Sequence, residues 1–157
     1  MAAAARDVAV MSFALDEISP AGQAGAASAA SAPTRIRLLP AGEFAARDGR
    51  PGNLPDSGSA VWRLDDAQGA ALAAALNAQA ASVALVIDYE HQTLLSKENG
   101  QPAPAAGWMR HFEFIAGDGL YATGVEWTAK AAAMLAAQEY RYRSPEFAFD
   151  PVSGQVQ

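Results

Sequence analysis

The chain has 157 residues, 51% of them hydrophobic, and a mean hydropathy of +0.01, which suits one compact domain with its own core and flexible ends rather than two full domains. Its 11 basic and 17 acidic residues give a formal net charge of -6, so no basic surface is available to hold nucleic acid phosphates. With no cysteine, a disulfide framework, a thiolate nucleophile and a thiolate metal site are all excluded, and the cytoplasm is the expected compartment.

Val8 to Leu15 is apolar and short enough for a buried strand. With Arg6 and the later Ala-Ser-Ala stretch it loosely imitates a signal peptide. Asp16 and Glu17 follow the apolar run directly, however, and the small-residue tract lies far downstream, so export is not expected. No stretch approaches the ~18 to 20 apolar residues of a membrane helix, and no membrane partner is expected. Pro20 to Pro33 is a small-residue loop or linker with nothing to pack. Residues 1–33 are therefore read as an N-terminal strand and a flexible Ala/Gly/Ser-rich segment, and residues 34–157 as the main domain.

Thr34 to Leu39 alternates Arg35 and Arg37 with Ile36 and Leu38, the period of a half-buried strand, and Pro40 closes it. Ala41 to Gly58 is rich in glycine and proline and predicts a long surface loop. Asp65 or Asp66 can cap a helix running to about Ala80, with Leu72, Leu76 and Ala80 on one face. Val83 to Asp88 predicts a central strand buried on both faces, which delivers Asp88, Glu90 and His91 to its end. Ser96 to Ala105 predicts a loop.

Gly107 to Ile115 and Leu120 to Trp127 flank Gly117-Asp118-Gly119, a hairpin signal. Thr128 can cap a second helix through about Gln138, and Tyr140 to Phe149 predicts a strand that puts Tyr140, Tyr142 and Ser144 on one face. The sum is a β-rich α+β domain without internal repeats.

Histidine is the side chain that titrates near neutral pH, and there are two, His91 and His111. His91 sits in Asp88-Tyr89-Glu90-His91-Gln92-Thr93, where a loop leaves a strand and carboxylates are at hand to orient an imidazole. Its plain alternative is a surface histidine in a polar loop. His111 lies on an alternating strand beside Met109 and Glu113, where a structural role is the simpler reading and a second site imidazole the other. Among ten serines, Ser144 follows an aromatic and basic strand and precedes Pro145, which restricts its backbone to extended geometry. A nucleophile and a strand-ending turn hydroxyl both fit that position. Asp88, Glu90 and His91 also suit a hard or borderline metal, although one remote histidine leaves few ways to complete a zinc site. Neither a phosphate loop nor a dinucleotide fingerprint is present, so no cofactor is implied.

Several blocks then carry a resemblance: Leu39-Pro40-Ala41-Gly42-Glu43-Phe44, Asp48-Gly49-Arg50-Pro51, Asp88-Tyr89-Glu90-His91-Gln92, Ala105-Ala106-Gly107-Trp108, Val125-Glu126-Trp127-Thr128, and Tyr140-Arg141-Tyr142-Arg143-Ser144-Pro145-Glu146-Phe147. In this order, over residues 34–154, they resemble the Mu-like prophage I protein. That family is a phage head maturation protease with a C-terminal scaffold part, similar to prohead proteases and herpesvirus assemblins. The resemblance implies a barrel-like mixed sheet core with flanking helices and a serine endopeptidase that cleaves scaffold and itself during prohead maturation.

It further implies Ser144 as nucleophile and His91 as base. The third member varies among relatives; Asp88 or Glu90 is favoured, with Glu146, Asp150 and His111 as alternatives. Backbone amides near Arg141 to Ser144 are the candidates for an oxyanion hole. Scaffold and capsid proteins are the implied partners, a homodimer is a candidate state, and the assembling prohead in the bacterial host cytoplasm is the implied location. A helical, charged scaffold tail does not follow the Ser144 block within the 157 residues. A non-catalytic capsid-assembly or scaffold-binding module is therefore the rival expectation.

Overall fold

The computed structural model describes residues 31–55, 58, 60–89, 91–140 and 145–157. Val8 to Leu15 and most of Pro20 to Pro33 lie outside them. The first strand, β1 (Ile36–Pro40), runs antiparallel to β7 (Gly119–Thr123). Its register shifts between Arg37 and Leu39, so Leu38 is an extra residue opposite the Tyr121–Leu120 step. This bulge explains why Leu38 and Leu39 are both buried although strict alternation would expose one of them.

Ala41 to Gly58 is not wholly loop, because β2 (Gly42–Phe44) pairs antiparallel with β3 (Trp62–Leu64). Three residues between turn formers carry no period of their own, and the pairing partner creates the strand.

Helix α1 (Asp66–Ser82) starts where Asp65 Oδ1 accepts a hydrogen bond from the Gln68 amide at 2.8 Å, satisfying one of the unpaired donors of the first turn. Leu72, Leu76 and Ala80 are buried as the spacing predicts, and each fully buried leucine contributes about 1.5–3 kcal/mol. The helix packs on β6 (His111–Ile115) and β7. Gly69 permits this approach, since a Cβ there would fall within the Phe114 ring. Asn77 adds a polar clamp: its side chain donates to the Phe112 carbonyl at 2.7 Å and accepts from the Phe112 amide at 2.9 Å. Among the described strands β6 lies at a sheet edge, where outward backbone groups have no neighbouring strand to pair with.

Strand β4 (Leu85–Asp88) pairs with β5 (Ala105–Met109), which pairs in turn with β8 (Glu126–Trp127). Among the described strands β4 is at an edge, not central as its apolar run predicts, and Val83 before it is 70% exposed. Apolar periodicity reports which faces are covered and says nothing about hydrogen-bonded neighbours. Helix α2 (Gln92–Asn99) extends into the predicted loop and ends at Gly100, whose φ of 67° needs no Cβ. It buries none of its residues, so no apolar stripe marks it in the sequence.

The predicted hairpin forms as β6 and β7, but each of the two long segments around it is divided between sheets. Arg110 separates β5 from β6, and Gly124-Val125 separates β7 from β8. Helix α3 (Ala129–Ala136) is capped by Thr128 Oγ1, which accepts from the Ala131 amide at 3.2 Å. The predicted Tyr140 to Phe149 strand is not formed in its described part; Phe149 makes only an isolated bridge with Val156.

The architecture is mixed α+β, with sheet orders β1-β7-β6, β2-β3 and β4-β5-β8. No order among the described strands closes on itself, so a closed barrel is not observed. The core runs through all three sheets, from Ile36 and Leu120 through Leu64 to Ile87 and Met109. Among the described residues no helix is long and apolar enough to cross a membrane.

Candidate active site

The end of β4 and the start of α2 carry the candidate base. Asp88 is 3% exposed, and its Oδ2 accepts from the Thr93 amide at 2.7 Å. It thereby supplies to the first turn of α2 the side-chain acceptor that His91, at the N-cap, does not provide. His91 serves the turn with its main chain alone, its carbonyl accepting from Leu94 at 3.0 Å and Leu95 at 3.3 Å. The imidazole is released from capping.

His91 adopts φ 57° and ψ 28°, a left-handed conformation that costs a non-glycine residue of order 1 kcal/mol or more. Such strain persists where surrounding structure imposes it, and here the buried Asp88 anchor lies on one side and α2 on the other. The ring is partly open, its side chain 23% exposed, whereas Nδ1 is buried and has no hydrogen-bond partner among the described residues. A buried group in that condition costs about 1–3 kcal/mol. Glu146 Oε1 stands 3.9 Å from this nitrogen, too far for a hydrogen bond but within ion-pair reach of a protonated ring.

Beside it, the Tyr89 ring packs at 5.6 Å and 52° to that of Tyr140. Its hydroxyl is likewise buried without a hydrogen bond among the described residues.

Glu146 owes its place to aromatic packing of the segment that follows. Phe147 meets Trp62 edge-on at 5.0 Å and Phe44 at 5.8 Å, and Phe149 meets Trp62 at 5.7 Å. Each such pair adds about 0.5–1.5 kcal/mol beyond area burial. Farther on, Asp150 Oδ1 accepts from Val152 at 2.7 Å and Ser153 at 3.1 Å, and these amides hold its carboxyl below the usual aspartate range. The Arg63 amide donates to the Gly154 carbonyl at 2.9 Å, and the Val156 amide donates to the Arg63 carbonyl at the same distance. The segment is thus fastened to β2 and β3.

Of the residues named from the sequence, His91 and the alternative carboxylate Glu146 are brought together. Asp88 is engaged with the α2 turn, and Asp150 with its own turn. His111 is exposed on β6, in a different sheet from the strand that leads to His91. Glu90 and Ser144 lie outside the described residues, as do Arg141 to Arg143. No three His, Asp or Glu side chains gather as a metal ligand set among the described residues. The Phe44, Trp62 and Phe147 clamp escaped sequence reasoning because its members come from separate segments with no shared spacing.

Residues 36–157 match the family model of the Mu-like prophage I protein, N-terminal domain. The chain belongs to this family. Within the Mu-like I proteins it is similar to Protease I of Escherichia phage Mu, with 36% identity over 125 residues, 76% of this chain and 33% of the phage protein. It is also similar to the Mu-like prophage FluMu I protein of Haemophilus influenzae, with 32% identity over 122 residues, 73% of this chain and 32% of that protein. The chain spans about a third of the length of these curated relatives. No solved structure matches it.

Proposed function

We propose that this chain is the serine endopeptidase domain of a phage capsid-assembly protein, with Ser144 as nucleophile and His91 as general base. The observation that carries the reading is the approach of the 145–149 segment to His91, seen in the 3.9 Å between Glu146 and the imidazole. Ser144 lies two residues before Glu146, and two residues span at most about 7 Å of backbone. The similarity to a phage protein named Protease I supports the same class of chemistry.

In this mechanism neutral His91 takes the Ser144 proton as the hydroxyl attacks a peptide carbonyl. It then protonates the leaving amine, and water repeats the cycle on the acyl-enzyme. Asp88 holds the turn that presents the base, and Glu90 supplies negative charge next to it in the chain. Amides near Arg141 to Ser144 stabilise the oxyanion. Scaffold and the protein itself are the substrates, inside the assembling prohead in the host cytoplasm. The barrel-like core and the homodimer of related enzymes belong to this proposal as well.

The test is cleavage of the cognate scaffold by purified protein beside Ser144→Ala and His91→Ala. Both variants are expected to stay folded and to lose about 10³-fold or more of the activity. Turnover that survives Ser144→Ala and disappears with a chelator would assign the chemistry to a metal held by Asp88, Glu90 and His91 instead. Retained scaffold binding with no cleavage by any of the three proteins would make the chain a non-catalytic assembly module.

A further inference from the structure

We infer that Glu146 is a positioning residue, which holds the His91 imidazole in the Nδ1–H tautomer and leaves Nε2 to take the nucleophile's proton. The inference rests on the protease reading above. His91 Nδ1 is closed off from water without a hydrogen bond among the described residues, and of their carboxylates Glu146 stands at ion-pair distance from it.

The described titratable groups on the segment leading into His91, Asp88 and Tyr89, do not fill that place. Asp88 has Oδ2 on the Thr93 amide, and Tyr89 lies against the ring of Tyr140. Glu146 is also suited to close the gap. Its side chain is 46% exposed and keeps rotamer freedom, while the neighbouring Phe147 fixes the backbone against Trp62. A shift of about 1 Å converts 3.9 Å into an ordinary hydrogen bond, and catalytic contacts that are long in a free enzyme commonly tighten when substrate binds. An imidazole that donates through Nδ1 to a carboxylate carries its lone pair on Nε2, the form a general base requires.

The test compares wild type, Glu146→Ala and Glu146→Gln by nitrogen NMR of the imidazoles at about pH 8, where an ordinary histidine is neutral. The His91 signals are separated from those of His111 with His111→Gln. Wild type is expected to show chiefly the Nδ1–H form, Glu146→Ala a shift toward Nε2–H, and Glu146→Gln, whose amide oxygen still accepts, an intermediate state. In scaffold cleavage Glu146→Ala should lower kcat by on the order of ten- to a hundredfold with little change in KM, and Glu146→Gln should recover part of the loss.

An unchanged His91 tautomer in Glu146→Ala overturns the inference. A tautomer that responds to Glu146 in a protein whose cleavage is untouched by Ser144→Ala leaves the pairing standing and removes Ser144 as the nucleophile of the protease reading.

Discussion

His91 and Gly100 bound α2 with left-handed backbone at both ends, φ 57° at the first and 67° at the second. Glycine is the ordinary occupant of such a position, as it is at the C-terminal end. The histidine at the N-terminal end is held there against its own preference. His91→Gly relieves that strain while His91→Ala keeps it, so the glycine variant should be more stable than the alanine variant by about 1 kcal/mol in denaturant titration. Both should be equally inactive toward scaffold. Equal stability of the two would show that the left-handed geometry is not maintained in solution.

Gly69 offers a second test, because the usual rule is expected to reverse there. Replacing an interior helix glycine with alanine ordinarily gains about 1 kcal/mol. In α1 the new methyl would overlap the Phe114 ring of β6, so Gly69→Ala is expected to destabilise by about 1–3 kcal/mol. Adding Phe114→Leu should recover part of that loss. A stabilised single variant would mean that α1 does not press on β6 as described.

The Tyr121 hydroxyl donates to Asp118 Oδ2 at 2.8 Å, and this bond, followed by burial, raises its pKa above the ordinary tyrosine value. A raised folded-state pKa means that the neutral phenol is the form that folding favours. Its stabilisation is fully present below the unfolded value of about 10 and is lost as pH rises through the folded value. Tyr121→Phe should therefore remove part of the decline in unfolding free energy on the alkaline side and leave none of this dependence near neutrality. An identical alkaline decline in the two proteins would contradict the hydrogen bond.

What could be read from the sequence was whatever acts over a few residues. Asp65 and Thr128 cap their helices, and the glycines around Asp118 turn the hairpin, because each effect needs only neighbours along the chain. The family resemblance was carried by ordered blocks, and residues 36–157 match the same family. The edge position of β4, the three-residue β2 and the split of the hairpin flanks between sheets depend on distant partners, so local patterns missed them. Helix α2 was overlooked for another reason: its capping acceptor is Asp88, placed before the turn rather than at its head, and no apolar face follows. In the candidate site, His91 was legible from its residue type and its place after a strand. The nearness of Glu146 was not, since aromatic rings on three separate segments bring it there.

The fastening of Val156 to Arg63 bears on when the site can exist during synthesis. A nascent chain grows from its N-terminus, and contacts between distant positions must wait for the later partner. Helix α1 and the β6-β7 hairpin can meet once Thr123 has been made, yet His91 waits for Glu146, and the segment bearing Glu146 waits for Gly154 and Val156 to dock on β3. A chain stalled on the ribosome before Glu146 has emerged would hold α1 packed on the hairpin and its imidazole still without the opposing carboxylate. Assembly order alone therefore keeps this pair apart until residues 154–156 have been made and have docked on β3.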